Sequence, residues 1–283
     1  MSDNRDKIEV IAERRIARMT ALAGGLARVH RVDFVEGASL VVKSATGKHA
    51  NLDIEGRMLN YLREHSVLPV PEVIHSEKTL LIMSHIDSAG SLNKDAQEDA
   101  AHHLAALHNI TAEQYGLPFD TLIGGLHQPN KRMASWIAFF REQRLLYMAE
   151  EAYKAGKLPL GVRRRVEQFA TQLDNFLFEP EEASLIHGDM WGGNVLAKDG
   201  KIAGFVDPAI YYAHAEIELA FSTLFGTFGD AFFDVYDNLR PLEPDFFEVR
   251  RDIYNLYPLL VHVRLFGGGY ASQVSDILRR LGF

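Results

Sequence analysis

The spacing of apolar positions changes several times along the chain, and each change marks an element. Ile8, Ile11, Ile16, Met19 and Leu22 recur at helical intervals and stop at Gly24-Gly25, which predicts one helix over residues 5–22. "LARVHRVDF" and "GASLVVKSA" then move toward the two-residue period of strands and flank Glu36-Gly37, the pattern of a hairpin. "LDIEGRMLNYLREH" returns to a helical stripe through Glu55, Leu59 and Leu62, and "PVPEVIHSEKTLLIMSH" holds two further short strands about a turn at Ser76 to Lys78. Helix, hairpin, helix and hairpin make a small α+β lobe of residues 1–85.

Past Ile86 the period is mainly helical, with helices expected near 95–110, 131–155 and 161–177 and again from about Ala215 onward. Two short strands, 195–198 and 202–206, interrupt this block around Lys198-Asp199-Gly200, a tight-turn signal. The expected architecture is α+β, with a small N-terminal lobe of antiparallel sheet and helix and a larger, mainly helical C-terminal lobe over 86–283.

Composition narrows the function. Thirty basic against thirty-eight acidic side chains leave a net charge of -8, which argues against broad binding to nucleic acid or to an anionic membrane. The chain has no cysteine, so disulfides, thiolate nucleophiles and Cys-ligated zinc are excluded. "MSDNRDKIEVIAERRIARMT" has no apolar core of a signal peptide, and no uninterrupted apolar run approaches twenty residues, so a soluble, cytoplasmic protein is expected. Oligomeric state is not legible.

The chemistry concentrates in "IHGDMWGGNVLAKDGKIAGFVDPA", residues 186–209. His187-Gly188-Asp189 is followed after four residues by Asn194, and Asp207 stands thirteen beyond that. Phosphoryl transfer uses this pattern: one loop carboxylate reaches the acceptor hydroxyl, while an amide and a second carboxylate present oxygens to Mg²⁺ on the ATP phosphates. A kinase also needs a cation on those phosphates and an acid to hold it in place. Lys43 in "SLVVKSA" and Glu55 on the following helix meet that requirement, with Asp53 as the competing acid. The chain lacks G-x-x-x-x-G-K-[ST] and G-x-G-x-x-G. Gly24-Gly25 is either a phosphate-approaching loop or a helix C-cap.

At these residues the chain resembles the protein-kinase-like superfamily, and within it the fructosamine (ketosamine) kinases, relatives of aminoglycoside phosphotransferases and choline kinases. "HGDMWGGNV", "VDPAIYYAHAEIELAFSTLFGTF" and "YPLLVHVRLFGGGY" carry the narrower likeness, with "FFREQRLLYM" in support. The resemblance implies a two-lobed kinase fold, ATP and Mg²⁺ as cofactors, and phosphorylation of a ketosamine or glycated amine on a sugar hydroxyl, O3, in deglycation. It implies Asp189 as catalytic base, Asn194 and Asp207 as metal ligands, and Lys43 with Glu55 as the phosphate-positioning pair. Met83, Ser84 and His85 would form the interlobe hinge, its backbone facing adenine. Two departures stand out: Ser84-His85 replaces the family's acidic and aromatic hinge pair, and Val261 precedes His262 where the family has Asn.

Trp191 is a candidate substrate contact, since an indole face suits the C–H face of a sugar and attracts an ammonium. His214, with Glu216, reads as a helix-start polar network behind Asp207 and is also kept as a candidate substrate contact. His102, His103 and His108 lack the i, i+4 spacing of a zinc pair and read as structural. Two alternatives share the core motif: a kinase of an aminoglycoside, choline or hydroxyamino acid, and a catalytically silent nucleotide-binding module.

Overall fold

The computed structural model describes residues 2–22, 27–47 and 50–283, with side chains from Arg5 onward. Gly24 and Gly25 lie outside the described residues. The amino-terminal region is a five-stranded antiparallel sheet of β1 (Ile16–Leu22), β2 (Arg28–Phe34), β3 (Leu40–Ser44), β4 (Val73–Glu77) and β5 (Leu80–Ser84), ordered β1-β2-β3-β5-β4. Two helices, α1 (Ser2–Ala12) and α2 (Leu52–His65), accompany it.

Strand alternation assigns each helix a face. Ile16, Val32, Leu40, Val42, Leu80 and Ile82 pack with Ile8 of α1, while Leu81 and Met83 pack with Leu52 and Leu59 of α2. Lys43 falls on the α2 face by the same alternation.

The helix expected over 5–22 ends at Ala12, and Ile16–Leu22 is strand. The chain reverses at Glu13, whose φ is +54°, and Glu9 accepts the amide of Ile16 at 2.8 Å. β1 then pairs with β2 from Ile16↔Phe34 to Leu22↔Val29. Ile16 and Met19 keep a helical interval, but cross-strand pairing along the sheet edge overrides that local preference.

The rest of the chain is mainly helical around one large core. Its helices are α3 (Lys94–His108), α4 (Trp136–Phe139), α5 (Tyr147–Lys154), α6 (Leu160–Ala170), α7 (Glu216–Leu224), α8 (Asp230–Leu239), α9 (Arg251–Phe266) and α10 (Gly269–Arg280). The helix expected over 131–155 starts at Trp136 and passes through a π-helical stretch, Phe140–Leu146. Its start is set by Ser135 Oγ, which accepts the Ala138 amide, and by Glu179, which accepts the Trp136 amide at 2.6 Å.

Small strands that the periodicity did not reveal frame the site. β6 (Thr111–Ala112), β9 (Ala183–Ile186) and β12 (Tyr211–Ala213) form one sheet, and β7 (Thr121–Ile123) pairs with β8 (Leu126–Gln128). The expected hairpin is present as β10 (Val195–Lys198) and β11 (Lys201–Phe205), closed at Asp199 and Gly200, both with positive φ. Among the described residues no helix is long and apolar enough to cross a membrane.

Candidate active site

Every residue of β9 is buried, and the chain leaves it as His187-Gly188-Asp189. His187 Nε2 donates to the Val206 carbonyl at 3.0 Å, and its Nδ1 accepts the Asp189 amide at 3.4 Å. Burial lowers the His187 pKa, so the ring is a neutral strut between the Asp189 loop and the strand that leads to Asp207. Gly188 is required for space: its φ is +85°, and a Cβ there would collide with the Ala209 oxygen and lie 2.7 Å from the Ala209 carbonyl carbon. Its amide donates to Glu218 Oε1 at 2.6 Å, and Glu218 Oε2 pairs with His108 Nε2 at 2.8 Å. Sequence reasoning did not assign Glu218 a part; a glutamate in the buried run of α7 was its signal.

The β10–β11 hairpin brings the other two groups of the motif together. Val195 pairs with Phe205, and the Val206 amide donates to the Asn194 carbonyl at 3.0 Å, so Asn194 and Asp207 meet at the open end. Asn194 Nδ2 donates to the Asp189 carbonyl at 2.9 Å, which ties the amide nitrogen down and turns Oδ1 away as an acceptor. Asp207 has φ +53°, and its half-exposed carboxylate meets Lys43 Nζ. Lys43 Nζ also donates to Glu55 Oε1 at 2.7 Å, so Glu55, not Asp53, is its helix partner. Burial alone would depress the Lys43 ammonium, but Glu55 and Asp207 outweigh it and hold its pKa above the ordinary lysine value. Burial, reinforced by the nearby Asp207 charge, pushes the Asp189 carboxyl up to about 7.

These five side chains, Lys43, Glu55, Asp189, Asn194 and Asp207, line one open cleft of about 1430 Å³. A typical single-ligand pocket is roughly 300–1,000 Å³, so this one has room for a nucleotide and an acceptor together. Met83, Ser84 and His85 also line it. The Ser84 amide, however, donates to Glu72 O at 2.9 Å and the His85 amide to Ser39 O at 3.3 Å. Neither donor is therefore available to a base; the next amide, of Ile86, lines the cleft and donates to no described acceptor.

Trp191 also lines the cleft and is 45% exposed. Its indole folds over the turn Gly192–Asn194, and a Cβ at Gly193 would fall within 2.8 Å of Trp191 Cζ3, so that glycine makes room for the ring. Phe225, His262, Phe266 and Tyr270 line the same cleft; the motifs that carry the family likeness contain all four, but the sequence assigned none of them a role at the site.

His214 departs from expectation. It is buried away from the cleft, where Nδ1 accepts from the Tyr254 hydroxyl at 2.8 Å and the ring lies 5.3 Å from Phe178. Burial, aided by the Arg250 charge, lowers its pKa to about 3. The neighbouring Glu216 is paired twice with Arg250, at 2.6 and 2.7 Å, so the helix-start network exists but belongs to the core.

The chain is similar to known proteins over nearly its whole length. A family model described as fructosamine kinase matches residues 8–282. A probable ketoamine kinase of Vibrio parahaemolyticus is 33% identical over 235 residues, 81% of this chain and 80% of that one. A chloroplastic protein-ribulosamine 3-kinase of Arabidopsis thaliana is 33% identical over 203 residues, 70% of this chain and 60% of that one. The crystal structure of a candidate fructosamine-3-kinase from Thermobifida fusca superposes with a TM-score of 0.87 at 30% identity, covering 99% of this chain and 98% of the other.

Proposed function

Because this chain belongs to the fructosamine kinase family, we propose that it transfers the γ-phosphoryl group of ATP, as its magnesium complex, to the 3-hydroxyl of a ketosamine. Such a substrate is a sugar joined to an amine by glycation, and phosphorylation would destabilise the adduct and release the amine. The observation that carries this reading is the convergence of Asp189, Asn194, Asp207 and the Lys43–Glu55 pair on one cleft with room for two ligands.

The donor set suits magnesium. Among the described residues no cluster of three or more His, Asp and Glu could hold a metal by itself. Mg²⁺ on a nucleotide asks for less, one or two protein oxygens beside the phosphates, and Asn194 Oδ1 and Asp207 would provide them. When bound, the magnesium nucleotide supplies an electrophilic phosphorus with part of its charge neutralised.

The chain's own groups do the rest. Glu55 fixes Lys43 so that its ammonium faces the phosphates from one position. Asp189 receives the acceptor hydroxyl, orients it in line and takes its proton as the transition state passes, since that state is loose and early deprotonation gains little. Trp191 offers an apolar face to the sugar ring.

The test is ADP release with fructose-, ribulose- and psicose-lysine beside aminoglycosides and choline, for the parent chain and for Asp189→Asn. Turnover of a ketosamine is expected, with kcat reduced by about 100-fold or more in the variant. Turnover of an aminoglycoside alone, or a variant as active as the parent, would sink the proposal.

A further inference from the structure

One wall of the cleft has a composition of its own. Phe225 follows α7, while His262, Phe266 and Tyr270 come from the end of α9 and the start of α10 across Gly267 and Gly268, both with positive φ. Their rings make one cluster: Phe225 lies 4.9 Å from His262, which lies 5.0 Å from Tyr270 and 5.7 Å from Phe266. Phe225 is 43% and Phe266 66% exposed, so the cluster presents its faces to the cleft mouth instead of filling the core.

Among the described residues no charged side chain lines this arm; Lys157 stands behind it, with Nζ donating to the Leu265 carbonyl at 2.7 Å. The charged side chains that line the cleft, among the described residues, are Lys43, Glu55, Asp189 and Asp207, the phosphoryl-transfer cluster. His262 adds none: Nδ1 donates to the Pro258 carbonyl at 2.7 Å, leaving Nε2 as a neutral acceptor, and burial lowers its pKa. Val261, where resemblance leads one to expect an amide, is buried and apolar and lines the same wall. A carboxylate or a second ammonium on the substrate would meet no charged side chain among the described residues that line this wall and would lose hydration against aromatic faces. An apolar group would gain by covering them.

We propose that the arm formed by Phe225, His262, Phe266 and Tyr270 receives the substituent on the substrate's nitrogen and selects an uncharged aromatic or aliphatic group over one that carries a carboxylate or a second ammonium. This rests on the ketosamine reading and deepens it, since it concerns the amine and not the sugar. The substrates favoured are therefore adducts of small apolar amines; glycated free amino acids are disfavoured.

The test holds the sugar constant as fructose and varies the amine: benzylamine, hexylamine, lysine linked through its side chain, and glycine. The benzyl and hexyl adducts are expected to exceed the glycine adduct in kcat/KM by roughly tenfold or more, the preference that covering one ring with apolar surface produces. Phe266→Ala with Tyr270→Ala should raise KM for the benzyl adduct while sparing its kcat, the mark of lost ground-state binding. Phe266→Lys should raise kcat/KM for the glycine adduct relative to the benzyl adduct. Equal kcat/KM across the four adducts, or a preference for glycine, overturns the inference and leaves the ketosamine reading standing. Failure of all four while another alcohol is phosphorylated overturns both.

Discussion

Gly188→Ala tests whether the loop that carries Asp189 is held by close packing or merely by its neighbours in sequence. A methyl at this position lies 2.7 Å from the Ala209 carbonyl carbon and closer still to its oxygen, and the obstacle is backbone. Ala209 cannot retreat freely, because its amide donates to His187 O at 2.7 Å. The φ of +85° adds strain, for about 2–4 kcal/mol together with the clash. Relief requires the loop to move by about 1 Å, and a displacement of that size at a reacting group costs on the order of 100-fold. The assay is kcat/KM for phosphoryl transfer beside thermal unfolding by circular dichroism. A fall of about 100-fold, with Tm lower by roughly 5 °C or more, is expected. Gly161→Ala in α6 is the control, since its methyl meets nothing within 4 Å. Retention by Gly188→Ala of a third of the activity with an unchanged Tm would show that close packing on Ala209 does not hold the loop.

Two further outcomes follow from buried charge. Glu55→Ala leaves Lys43 with Asp207 alone, so the ammonium turns toward the metal-binding side and kcat/KM for ATP should drop on the order of 100-fold; steady-state kinetics within threefold of the parent would contradict this. His214 is neutral in the fold with a pKa lowered to about 3, whereas the unfolded chain takes up its proton below the ordinary 6.5. Its contribution to stability is complete above 6.5 and is lost as pH falls toward 3, by at most about 1.4 kcal/mol per pH unit. Urea unfolding of the parent and of His214→Phe across that interval should show a shallower pH slope in the variant, and parallel slopes would exclude the effect.

The parts of the site legible in the sequence are those whose chemistry fixes residue type and spacing together. The four-residue gap between Asp189 and Asn194 and the strand lysine are of this kind, because alternation on β3 decides which face Lys43 takes. Glu55 was distinguishable from Asp53 because its spacing with Leu59 and Leu62 follows the stripe that packs on the sheet. Ile16–Leu22 was not legible as strand, since an edge strand with one neighbour carries only a weak period. β9 and β12 are buried on every residue and so show no alternation, which left the frame of the Asp189 loop invisible. His214 was misplaced because proximity in sequence to Asp207 says nothing about which side of β12 the ring takes. The aromatic arm was missed because Phe225, His262, Phe266 and Tyr270 gather from separate elements.

The position of the phosphate in the product decides whether this cleft phosphorylates a ketosamine at the sugar's 3-hydroxyl. Fructose-benzylamine is incubated with the protein, ATP and Mg²⁺, and the product is assigned by ³¹P–¹H correlation NMR. A single phosphomonoester coupled to the proton on sugar carbon 3 is predicted, formed about 100-fold or more slowly when Asp189→Asn replaces the parent. Phosphate on another hydroxyl, or ADP formed with no phosphorylated sugar, would rule out ketosamine 3-phosphorylation by this protein.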